Sequence, residues 1–159
     1  MKPVHLALSG AILLAGCVTS NGTSAVHPMS KDAAARGRVT LVQLHNTPSN
    51  VSGDFTAQFQ NTVQSKLNEC ADGGYPLVLT VTLNGYHSAN AAIALFAPSQ
   101  SEISGVARLT DASGAVVGEY NIRRTIMVGV VIGAVVAANA EQNMSSAFGE
   151  ELCKQAFKD

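Results

Sequence analysis

The chain has 159 residues, 47% of them hydrophobic and 13% charged, with Lys+Arg 10 against Asp+Glu 11. A disordered chain needs high charge and little apolar content, and a nucleic-acid binder needs a net positive field over its phosphates, so both classes are excluded. The length suits one domain, and there is no collagen or coiled-coil bias.

Residues 1–17 read MKPVHLALSGAILLAGC. Lys2 and the amino terminus supply a short positive region, and an apolar stretch follows from Val4 to Ala15. This is the pattern of a secretory signal, which is set aside before fold reasoning. Its apolar core is shorter than the roughly 20 residues a bilayer crossing requires. The run Leu14-Ala15-Gly16-Cys17 resembles the lipobox of bacterial lipoproteins. That resemblance implies cleavage before Cys17, diacylation of its sulfur, palmitate-type acylation of the new amino group, and a membrane anchor. One acyl chain holds a protein marginally, whereas several hold it stably. The rival is an ordinary signal peptide cut later, near Ala25. Val18 stands where an Asp would direct retention at the inner membrane. The resemblance therefore implies the outer membrane, facing the periplasm, with the inner membrane as the alternative. The expected division is a lipoprotein signal peptide over 1–16, a lipid anchor and flexible tether over 17–38, and a single αβ domain over 39–159.

The tether lacks a sustained apolar period and begins rich in Ser, Thr, Asn and Gly. Asp32 and Ala33–Ala35 can make one helical turn, with nothing to bury it. Alternation over 39–45 predicts a first strand. After the turn NTPSNVSG, Phe55, Phe59, Val63 and Leu67 recur every four residues, which predicts an amphipathic helix. Asp72-Gly73-Gly74 reads as its ending. Residues 77–83, LVLTVTL, alternate throughout and give the strongest strand signal in the chain. The Ala-rich segment 88–96 reads as a weaker strand, interrupted by Pro98. Residues 102–110 and 115–125 flank Asp111-Ala112-Ser113-Gly114 and read as an antiparallel hairpin. From residue 126 the chain is nearly all apolar to 138, then amphipathic to 157. This predicts one long helix, or a β-branched entry segment leading into a helix, packed on the sheet; insertion of 126–138 into a membrane or a partner, although the run is short for a bilayer, and a buried strand are the alternatives. The expected fold is α+β: an antiparallel or mixed sheet of four to five strands, two helices on one face, and Thr80, Thr82 and Arg108 on the other.

Three cysteines are present. With Cys17 acylated, Cys70 and Cys153 remain as a pair near the ends of the two predicted helices. An oxidising compartment permits a disulfide between them, and two separate buried thiols are the alternative.

Chemistry is sparse. There is no HExxH, CxxC or phosphate loop, so no cofactor, no metal and no enzymatic activity are expected. His27 lies in the tether. His45 and His87 have no metal-ligand spacing, and His87 beside adjacent Ser88 in an extended chain is poor geometry for a catalytic pair. Glu102, Asp111 and Glu119 lie in or beside the hairpin and read as surface carboxylates rather than paired acids. Arg123-Arg124 reads as a solvated strand end, with anionic headgroups as the alternative contact. Gly129 and Gly133, with Ala137, make a small-residue ridge for close packing.

The strand LVLTVTL, the hairpin ARLTDASGAVV and the glycine-rich apolar run after it resemble small bacterial envelope lipoproteins with a lipobox and a compact αβ domain. The resemblance implies a membrane-anchored periplasmic binding or assembly module. Its partners would be the membrane through the lipid, and an envelope protein or further copies of the chain, with no nucleic acid. A structural envelope lipoprotein without a specific ligand is the second reading, and a hydrolase using His87 or His45 the third.

Overall fold

A computed structural model describes residues 19–94, 96–128 and 139–158. Six strands form one sheet: β1 (Thr19–Asn21), β2 (Ser24–His27), β3 (Gly37–His45), β4 (Tyr75–His87), β5 (Ser99–Thr110) and β6 (Val116–Val128). The helices are α1 (Lys31–Arg36), α2 (Phe55–Leu67), α3 (Ala91–Ala94) and α4 (Ala140–Ala156). The order across the sheet is β1-β6-β5-β4-β3, with β2 also on β6. The β4–β5 and β5–β6 pairs are antiparallel, and β3 runs parallel to β4. The sheet is therefore mixed, because α2 carries the chain between two parallel neighbours.

Period-two alternation decides which side chains enter the core. On β4, Leu77, Leu79, Val81 and Leu83 are buried while Pro76, Thr82 and Asn84 are exposed. On β5, Ile103, Ala107 and Leu109 point the same way, joined by Tyr120 and Ile122 of β6. The stripe Phe55, Phe59, Val63 and Leu67 of α2 and the residues Met144, Phe148, Leu152 and Ala156 of α4 close the same core. Both helices thus cover one face of the sheet.

The helices lie side by side and run in the same direction. Ser52, just before α2, donates to Glu141 in the first turn of α4 through its backbone N–H at 2.8 Å and through its hydroxyl. Midway, the Phe59 and Phe148 rings meet edge-on at 5.5 Å. Beyond, Cys70 and Cys153 are joined by a disulfide with Cα atoms 5.9 Å apart. Gly149 of α4 sits directly on α2, where an added Cβ would stand 2.8 Å from Lys66 Cβ.

Four sequence expectations need correction. The tether segment contains structure: β1 pairs with Ile126, Thr125 and Arg124, and β2 pairs with Asn121, Tyr120 and Glu119. Met29 N–H then donates to the buried Tyr120 hydroxyl at 2.9 Å, and α1 follows, capped by Ser30. The physical reason is the exposed edge of β6, whose backbone groups take up any extended neighbour. Residues 91–94 are a helical turn rather than strand, with Asn90 Oδ1 accepting from Ala92 and Ile93 N–H. Residues Ile126–Val128 complete β6 instead of opening a helix, and the final helix begins at Ala140. Asp72-Gly73-Gly74 is not the end of α2, which stops at Leu67. The signal segment, Cys17 and the apolar run over 129–138, with Gly129, Gly133 and Ala137, lie outside the described residues.

Candidate functional site

Two surfaces carry polar groups in concentration. The first is a groove of 780 Å³ along the seam between α2 and α4. Its walls are the amides Asn61, Asn139, Gln142 and Asn143 and the hydroxyls Thr62, Ser65 and Ser146. These positions face outward because the i, i+4 stripes of both helices are spent on the core. Lys66 lies at its end, with Nζ 3.3 Å from Glu69 and 3.4 Å from Glu150. The hydrogen bonds that Lys66 donates to Glu69 and Glu150 raise its pKa above its ordinary value. The groove presents neutral donors and acceptors beside one neutralised cation, a surface for hydrogen bonding rather than for proton transfer.

The second surface is the open face of the sheet. Thr80, Thr82, Val106, Arg108 and Glu119 line a hollow of 250 Å³ there. Arg108 and Glu119 are opposite each other across β5 and β6, and Arg108 Nε donates to Glu119 at 2.6 Å. Arg123 pairs with Glu102 at 2.8 Å. Cross-strand ion pairs on an exposed face are worth little in stability, so they chiefly neutralise the surface.

The acids considered from sequence are thus separated by function. Glu102 and Glu119 are in those ion pairs. Asp111 holds its turn: Oδ1 accepts from Ser113 N–H and Oγ and from Ala115 N–H, and Oδ2 accepts from the Tyr75 hydroxyl at 2.9 Å. The Ser113 and Tyr75 hydroxyls hold the Asp111 carboxyl below its ordinary pKa. His27, His45 and His87 are all exposed, on three different strands. Asp72 forms an isolated backbone bridge to Arg38, and Asp54 stands before α2 without a side-chain capping bond. Among the described residues, no group of three His, Cys, Asp or Glu is placed to hold a metal.

Arg124 corrects the reading of the basic doublet. Its side chain is 7% exposed and its Nη1 is 3.0 Å from Glu151 of α4, itself 1% exposed. One signal was available in the sequence: Arg124 has the same parity as Tyr120 and Ile122, the inward residues of β6. Tyr86 was missed altogether. Its hydroxyl is buried without a hydrogen-bond partner among the described residues, and burial, with Glu141 nearby, pushes its pKa up to about 12.

No protein-family model matches the sequence, and no curated protein does. Solved structures do resemble the fold. A PelC dodecamer from Paraburkholderia phytofirmans aligns over 87% of this chain and 99% of its own, with a TM-score of 0.55 at 12% identity. This likeness is one of fold. A lipoprotein from Caulobacter crescentus aligns over 71% of this chain and 82% of its own at 15% identity, with a TM-score of 0.41, too low to add to the argument. Among the described residues, no helix is long and apolar enough to cross a membrane.

Proposed function

We propose that the protein is a lipid-anchored module of the bacterial cell envelope, held in the outer membrane through Cys17 and facing the periplasm. It works by assembling with protein, first of all with further copies of itself. The observation that carries this reading is the fold shared along nearly the whole domain with a protein whose structure is a dodecamer. The disulfide between Cys70 and Cys153 supports an oxidising compartment, and the lipobox-like run ending at Cys17 supports the anchor. The polar, charge-neutral groove and sheet face suit contact with other polar surfaces.

Two measurements test it. Replacing Cys17 by Ser is expected to release the protein from the membrane fraction and to remove the acyl mass. Native mass spectrometry of the acylated protein in mild detergent is expected to give one discrete homo-oligomer. A monomer at all concentrations overturns the assembly reading, and unchanged membrane retention of C17S overturns the anchor.

A further inference from the structure

Four chain segments come together at one end of the sheet. Thr19 of β1 pairs with Ile126, near the end of β6. Ser99 and Gln100, at the start of β5, pair with Val128 and Met127. His87, the last residue of β4, pairs with Glu102 of β5. The connection from β4 to β5 runs through α3 at this same end.

That end carries exposed apolar side chains. Phe96 is 86% exposed, Ile93 55% and Met127 47%. The connection is ordered from within: Ala89 N–H donates to the Ser101 hydroxyl at 2.9 Å, and Phe96 and Ala97 N–H both donate to the Ile93 carbonyl. Five of its backbone N–H groups, those of Ala89, Ala92, Ile93, Phe96 and Ala97, are hydrogen-bonded within this region, while the Ile93 and Phe96 side chains remain in solvent. Residues 88–101 also contain no Asp, Glu, Lys or Arg. A loop tip in water normally carries polar or charged residues, and an ordered, uncharged apolar tip marks a contact surface.

The position of Cys17 selects the partner. It lies two residues before Thr19, within about 7 Å even of fully extended chain. A lipid on Cys17 therefore brings the Ile126–Met127 end of the sheet to the bilayer.

We infer that Ile93, Phe96 and Met127 form a membrane-contact surface, inserted into the interfacial region of the bilayer that holds the Cys17 lipid. This rests on the anchor proposed above. The domain then stands on the membrane through two attachments, the acyl chains and this apolar tip. Apolar side chains enter the boundary between headgroups and acyl chains in the manner of interfacial anchors.

The chain has no Trp, so Phe96→Trp makes a single reporter at an exposed position. The full-length acylated F96W protein is placed in phosphatidylethanolamine–phosphatidylglycerol vesicles, with and without brominated acyl chains. Val116→Trp serves as the comparison. Val116 is 43% exposed at the opposite end of β6, about 40 Å away along the strand. F96W is expected to emit at shorter wavelength and to lose roughly half or more of its emission to brominated lipid, with V116W unchanged. If the protein floats with the vesicles but F96W is quenched no more than V116W, the inference is overturned while the anchor stands. A wavelength shift without lipid quenching assigns the tip to a protein contact and also overturns it. Failure to float overturns the anchor and the inference together.

Discussion

Arg124 of β6 and Glu151 of α4 form an ion pair at 3.0 Å inside the core, with both side chains all but closed to solvent. Two desolvated charges gain little over a well-packed apolar pair, but either charge alone is expensive. Glu151→Gln or Arg124→Met is therefore expected to destabilise the domain by about 3–5 kcal/mol. The double variant R124M/E151L is expected to recover most of that loss. Urea denaturation of the three variants checks the cycle, and a double variant as unstable as the sum of the singles refutes it.

The Cys70–Cys153 bond closes a separation of 83 residues between parallel helices. Constraining the unfolded chain over a loop of that size stabilises the folded state by about 4–5 kcal/mol in the chain-entropy model. The variant C70S/C153S is expected to lose an amount of that order, measured as a drop in denaturant midpoint with the fold retained. Equal midpoints for wild type with and without reductant would contradict this.

Gly73 is required by a close approach between backbones. An added Cβ would stand 2.0 Å from the Arg36 carbonyl oxygen, where Gly73 N–H bonds to the Gly37 carbonyl. Gly73→Ala is expected to disrupt the crossing of the two segments. Gly74→Ala, with open space around it, is the matched control. Thermal melts of the two separate a steric cost from a loss of turn flexibility, because only G73A should fall.

The Tyr86 hydroxyl is buried and makes no hydrogen bond among the described residues, so it carries a desolvation cost with no return. Tyr86→Phe keeps the ring against Phe55, whose centroid is 5.5 Å away. The expected result is unchanged stability or a gain of up to about 1 kcal/mol. A clear loss in Y86F would reveal a partner for the hydroxyl.

Asp111 makes the hairpin acid-sensitive. Its folded pKa lies below its ordinary 3.8. Its contribution is therefore complete above that value and is lost as pH falls through the folded pKa. Asp111→Asn is expected to flatten the acid limb of the stability profile below about pH 4 and to leave the shape near neutrality unchanged. Carboxyl NMR titration gives the folded pKa directly, and a value at or above 3.8 would overturn the assignment. The Tyr75 hydroxyl moves the other way, since donation to Asp111 raises its pKa.

The central elements were legible because their periodicity is a packing demand. Leu77, Leu79, Val81 and Leu83, like Phe55, Phe59, Val63 and Leu67, each repeat at the period of the element that buries them. The first two strands left no such trace: β2 is exposed along its whole length, so no apolar alternation was needed to place it. Their position is dictated by the unfilled edge of β6, a property of residues some hundred positions away. The charge on Arg124 hid an inward position that strand parity would have revealed. Gly73 resembled a helix stop because local composition cannot distinguish a turn from two backbones in contact. For the surfaces, sequence indicated which residues are polar, but not that parallel packing of α2 and α4 gathers their amides and hydroxyls into one groove.

The pairing of Thr19 with Ile126 also bears on the timing of folding. Synthesis delivers β1 and β2 some hundred residues before their partner, so they wait, unpaired, while β3, β4 and β5 are made. Closing so long a loop is an entropic toll charged before any contact rewards it. β1 and β2 thus join the sheet only once β6 is in place, and until they do the edge of β6 stays open to any passing strand.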